Sequence, residues 1–211
     1  MNKKLVLLDL IFYAAIPYII WTYGKDPLGD YWAILLSTLP GFIYTVYRFM
    51  VEKQFNTSGL FIISSLFINT AVNLISSSAE SMLWNQVYLG LAYALVFLLS
   101  MLFKNPLGLY FAVDWAYLQG YERKSSKALF RTKGIFKGFQ LLTLLFVVRS
   151  AFQSTLKMWL LIQYGAESYG QMIIYLNISG WIFSGLIMFG FLHISVKVNN
   201  YKQNQTETIG T

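Results

Sequence analysis

The chain has 211 residues, of which 56% are hydrophobic and 12% charged, with a net charge of +7. Soluble domains carry about 25% charged residues, so half that share combined with long apolar runs marks an integral membrane protein. There is no cysteine, which excludes disulfides, thiolate metal sites and cysteine nucleophiles, and the single histidine, His193, cannot build a histidine metal centre within one chain.

The opening MNKKLVLLDLIFYAAIPYIIWTYG starts like a signal peptide. Its apolar run is too long, Asp9 interrupts it, and no small-x-small cleavage site follows, so it is expected to be retained as a first span, Leu5–Tyr23. The Gly/Pro/Asp stretch GKDPLGD then predicts a turn, and the second span follows over Tyr31–Phe49. Pro17 and Pro40 fall inside these spans and are expected to kink them, exposing carbonyls. EKQFNTSG supplies a helix cap at Asn56, Thr57 or Ser58, ahead of a third span, Gly59–Ser77, and a fourth, Trp84–Phe103.

The longest connection comes next, residues 105–137. Pro106 ends the fourth span or starts a new helix. Leu107–Leu118 is apolar except for Asp114, too short to cross a bilayer, and expected at the interface or under the bundle. Gly120 breaks it. From Ser126 to Lys137, Leu129, Ile135 and Phe136 alternate with Lys127, Arg131, Lys133 and Lys137, the pattern of a basic amphipathic helix. Spans five and six follow at Gly138–Tyr164 and Gln171–Lys197, and residues 201–211 read as a disordered cytoplasmic tail. The expected fold is therefore all-α: one membrane domain, residues 1–200, of six transmembrane helices arranged as three hairpins. Gly90-x-x-x-Ala94 and Gly180-x-x-x-Ser184 permit close helix contact within it.

Charge placement orients the spans. Lys3, Lys4, Arg48, Lys53, Lys104, the cluster Arg123–Lys137, Lys197 and Lys202 fall on one side, and Lys25, Asp26, Asp30, Glu80 and Glu167 on the other. The positive-inside rule makes both termini cytoplasmic in a plasma membrane. The positive charge then faces anionic lipid headgroups and argues against nucleic acid as the partner. Arg123, Lys124, Lys127, Arg131, Lys133 and Lys137 are the candidate lipid or partner contacts, or simply a topology anchor. Trp21, Tyr23, Tyr31, Trp32, Trp84, Trp159, Tyr164 and Tyr169 fit an interfacial aromatic belt on the outer side.

Polar residues inside spans are candidate sites because they are costly there. Arg149 lies on the order of 15 Å along span five from Gly138. Gln153 and Lys157 follow at four-residue spacing and share its face. Span three carries a matching stripe of Asn69, Asn73 and Glu80, which suggests the pairings Asn69–Arg149, Asn73–Gln153 and Glu80–Lys157. NTAVN (Asn69–Asn73) and RSAFQ (Arg149–Gln153) form a faint internal echo. Asp9 is the one carboxylate inside a span. A deep guanidinium without a nearby acid suits a small anionic or zwitterionic ligand held bidentately, with Arg149, Gln153, Asn69, Asn73 and Asn177 as its site. The competing reading is a structural arginine satisfied by Asn69 and helix-end carbonyls, or paired with Asp9.

LLSTLPGFIYTVYRF, with Ser37, Leu39, Pro40, Tyr44, Tyr47 and Arg48, and VFLLSMLFKNPL, ending in Asn105 and Pro106, together with Asp9 and Pro17, resemble a family of small bacterial six-span inner-membrane proteins. That family is distantly similar to the intracellular septation protein A family. The resemblance covers most of the first two-thirds of the chain, with a matching layout beyond, and implies a bacterial cell-envelope role without implying any catalytic residue. No Ser/His/Asp set, metal cluster or phosphate loop is present, so neither an enzyme nor a cofactor is expected. Two functions remain: binding or transport of a small molecule around Arg149, and an accessory or envelope-assembly protein, alone or as a homodimer, docking a partner membrane protein or anionic lipid through its basic segment.

Overall fold

The computed structural model describes residues 3–52 and 55–209. Lys53 of the expected basic set falls outside them, and the side chains of Lys3, Lys4 and Lys202 are likewise outside the description. Among the described residues every regular element is helical: α1 (Lys3–Leu10), a π turn (Ile11–Ala15), α2 (Ile16–Val51), α3 (Thr57–Ile75), α4 (Ala79–Leu102), α5 (Leu107–Leu118), α6 (Arg123–Phe130), α7 (Lys133–Tyr164), a 3-10 turn (Gly165–Ser168) and α8 (Tyr169–Ile209). Four stretches are long and apolar enough to cross a membrane: Leu7–Val51, Thr57–Ile75, Ala79–Leu102 and Lys133–Tyr201.

The breaks follow local chemistry. Gly29 interrupts α2 at φ 75° and ψ 160°, a conformation only glycine adopts freely, inside the expected GKDPLGD turn. Gly165 ends α7 at φ 64°, a left-handed glycine cap. Asn56 is the cap of α3, its Oδ1 accepting from Gly59 N at 2.8 Å. Pro106 stands as the N-cap residue of α5. Two expectations differ. The basic stretch Ser126–Lys137 is not one helix, because α6 stops at Phe130 and Thr132 turns its hydroxyl back to Leu129 O before α7 begins. The backbone also stays helical to Ile209, past the start of the expected tail, since no glycine or proline interrupts residues 201–209.

The chain divides into two compact units. The first holds the residues up to Ala92 together with Ala151–Trp181, and the second holds Tyr93–Ser150 and the residues from Ile182 on. The core of the first gathers Ile34, Met82, Leu83, Leu160 and Met172 around Trp21 and Tyr169. Those two rings meet edge-on at 5.2 Å, and Tyr169 Oη pairs with the buried Ser37 hydroxyl at 2.9 Å. Trp21 and Tyr169 are thus core residues rather than members of an aromatic belt, while Tyr23, Trp32, Trp159 and Tyr164 are exposed.

The second unit packs α5, α6 and its parts of α7 and α8 around Leu109, Phe130, Phe139, Leu142 and Ile194. Glycines let α7 and α8 approach. A Cβ on Gly138 would lie 2.9 Å from Ile194, and one on Gly190 would lie 2.8 Å from Leu142. Thr143 Oγ1 accepts from Gly108 N at 3.1 Å, satisfying an orphan donor at the start of α5.

Candidate functional site

The second unit holds a cavity of about 810 Å³. It is walled by α5, α6, α7 and α8, with Phe139, Phe146 and Arg149 contributed by α7. Those three positions are spaced seven and three residues apart, so they share one helix face. The α8 wall runs from Ser184 to Asn199 with contributions at nearly every turn, including Ile187 and Phe191. Trp115 on α5 and Met188 and Leu192 on α8 line the cavity and are themselves exposed, so it opens outward.

Among the described residues, Arg149 is the one charged residue that lines the cavity. It sits at the midpoint of the 32-residue α7 and is half-buried. Among the described residues it makes no hydrogen bond or ion pair. Asp9, the acid that the sequence offered as its partner, is engaged by Arg48: Asp9 Oδ1 lies 3.3 Å from Arg48 Nη1, and Arg48 Nε donates to Glu52 at 2.8 Å. The Tyr44 ring, stacked on Phe12 at 4.7 Å, lies 5.7 Å from the Arg48 guanidinium. Asp9 thus joins Tyr44 and Arg48, which stand one turn apart on α2, in one cluster of the first unit.

Gln153, Asn69, Asn73 and Asn177 belong to the first unit and line none of this cavity. The expected pairings are replaced there. Lys157 Nζ donates to Gln86 Oε1 at 2.6 Å, and Gln86 Nε2 donates to Asn73 Oδ1 at 2.7 Å. So Asn73 meets Gln86 instead of Gln153, and Lys157 meets Gln86 instead of the exposed Glu80. Gln153 Nε2 donates to Leu176 O at 3.2 Å and to Ser179 Oγ at 3.4 Å. Asn69 Nδ2 turns back to Ser65 O at 2.8 Å, an interaction within its own helix. Asn177 Nδ2 reaches Ile173 O and Tyr13 O at 2.8 and 3.1 Å. Four of the five expected ligand residues therefore direct their amides at protein groups.

Gln86 is the residue that sequence reasoning missed. A glutamine inside an apolar run is the signal for it, although its spacing on α4 does not show which helix it meets.

Three of the six basic candidates are engaged with their neighbours in the second unit. Arg123 lies 3.7 Å from the buried Asp114 carboxylate and its guanidinium stands 4.3 Å from the Tyr117 ring. Lys127 stands 4.9 Å from the Tyr110 ring. Arg131 Nη2 donates to Asn105 Oδ1 at 2.7 Å. With four-residue spacing Arg123 and Lys127 share the face of α6 that meets α5, and Arg131 follows at its C-cap. Lys124, Lys133 and Lys137 are exposed.

Among the described residues no group of three or more His, Cys, Asp or Glu is placed to hold a metal ion. No protein-family model, curated protein or solved structure matches the chain.

Proposed function

We propose that the protein crosses the bacterial plasma membrane six times, as three hairpins with both termini in the cytoplasm, and binds or transports an anionic or zwitterionic molecule at Arg149. Two observations support the six crossings. One crossing takes about 20 residues, whereas Leu7–Val51 has 45 and Lys133–Tyr201 has 69, each interrupted by a turn. Split at those turns, the four apolar stretches become six.

The binding reading rests on one observation: Arg149 lines an open cavity and has no protein acceptor among the described residues. A guanidinium at mid-bilayer depth costs about 2.5–3.5 kcal/mol. An anion in the cavity offsets that cost and uses the planar fork of donors that distinguishes arginine from lysine. The exposed Lys124, Lys133 and Lys137 favour anionic lipid headgroups at the cytoplasmic face.

The test is native mass spectrometry of the full chain released from lipid nanodiscs, wild type against Arg149→Leu. A defined anionic or zwitterionic adduct on wild type that disappears in a folded, equally heat-stable variant is the expected result. A bare protein in both cases overturns the reading.

A further inference from the structure

We infer that the Arg149 cavity takes a single-chain anionic amphiphile, its head on the guanidinium and its hydrocarbon chain laid along the aromatic slot. This deepens the binding reading above and rests on it.

A site for a small polar ion surrounds it with several converging donors. Here one cation stands among the described lining residues, and the other polar ones, Gln119, Tyr121, Ser126, Ser184, Ser195 and Asn199, carry no charge. Away from Arg149 the α7 wall is Phe146 and then Phe139, roughly 15 Å of helix at 1.5 Å per residue. Ile187, Phe191 and Phe130 continue the apolar lining from α8 and α6. A small anion would leave that slot empty of partners, and unfilled apolar space forfeits dispersion contacts along its whole lining. A hydrocarbon chain fills it, and about 810 Å³ is within the range of sites that enclose ligands of this size.

The opening supports the same class. Trp115, Met188 and Leu192 are exposed apolar lining residues, so a chain can enter past them. Charge complementarity selects the head. With no carboxylate among the described lining residues, Arg149 favours a carboxylate or a phosphate monoester over a neutral alcohol or an ammonium.

Photo-crosslinking distinguishes these chemistries. The full chain in zwitterionic nanodiscs is exposed to palmitate carrying a terminal diazirine, to the matching monoalkyl phosphate, and to the matching alcohol, then irradiated and mapped by peptide mass spectrometry. The expected result is labelling concentrated on residues 139–146 and 187–191 by either anionic probe, at least tenfold above the alcohol. Arg149→Gln is expected to lower it at least tenfold and Arg149→Lys less. Met188→Trp, an exposed site whose larger ring obstructs the slot, should remove labelling with Arg149 intact. The stronger of the two anionic probes identifies the head. Labelling spread evenly over exposed helix faces, or unchanged in Arg149→Gln, overturns the inference. If the amphiphiles fail while native mass spectrometry still finds an Arg149-dependent small anion, the binding reading stands and the amphiphile falls. If neither ligand binds, both fall.

Discussion

Asn177 donates its Nδ2 to the carbonyl of Tyr13 at 3.1 Å, and Tyr13 is the residue four before Pro17. Proline has no N–H, so that carbonyl lacks its α-helical donor. The helix widens into the π turn Ile11–Ala15 immediately before the proline, and an amide 164 residues further along the chain completes the bonding. Inside a membrane no water substitutes for such a donor. Asn177→Ala should lower stability by about 1 kcal/mol. In a Pro17→Ala background, which restores an N–H, the same change should cost measurably less. Thermal unfolding of the four proteins in detergent forms the double-mutant cycle, and equal costs in both backgrounds would remove Asn177 from the role.

The Lys157–Gln86–Asn73 chain predicts an asymmetry. Gln86→Leu leaves the half-buried Lys157 ammonium without its amide acceptor and Asn73 without its donor, and should destabilise by about 1–3 kcal/mol. Lys157→Met removes the charge itself and keeps the length, so it should cost less. Melting temperatures in the reverse order would mean that the lysine contributes more than its bond to Gln86.

Gly90 packs against Ser154. A Cβ built on Gly90 would overlap Ser154 Oγ while standing 3.5 Å from Ser154 Cβ, an ordinary contact. Gly90→Ala alone should therefore destabilise by about 1 kcal/mol or more, in the range of overpacking in a filled interior. Ser154→Ala should rescue it, because the methyl of the new alanine then meets only another methyl. Failure of the rescue in the same melting assay would show that the backbone, not the hydroxyl, sets the limit.

The absence of cysteine makes single cysteines clean reporters of topology. Lys124→Cys and Lys133→Cys should be protected from a membrane-impermeant maleimide in intact cells and labelled after permeabilisation. Glu80→Cys and Glu167→Cys should be labelled in both. Labelling of Lys133→Cys in intact cells would reverse the proposed orientation.

Much of the helical pattern was legible in the residues because each element carries its own local cause. Apolar runs of membrane length, the GKDPLGD turn, the Asn56 cap, the proline before α5 and Gly165 after α7 are short-range signals, and they reappear as helix ends. The division of the basic stretch at Arg131–Thr132 was not legible, since alternation of apolar and basic residues continues through it and only the hydroxyl turn at Thr132 interrupts the helix.

The candidate site divides the same way. Arg149 announces itself in sequence because a guanidinium in an apolar run is expensive wherever the helix packs. The partners of the remaining polar residues do not, because spacing along one helix determines which residues share a face but not which helix that face meets. Gln86 on α4 takes both Asn73 and Lys157, and Arg48 takes Asp9. The sequence alone determined an all-helical chain with membrane-length spans and a charge on α7 that needs an answer. Only the tertiary structure decided that Asn177 bonds to the backbone before Pro17, and that Arg149 faces an apolar cavity. Bonding and packing between helices depend on contacts across long separations in the chain, which no local periodicity encodes.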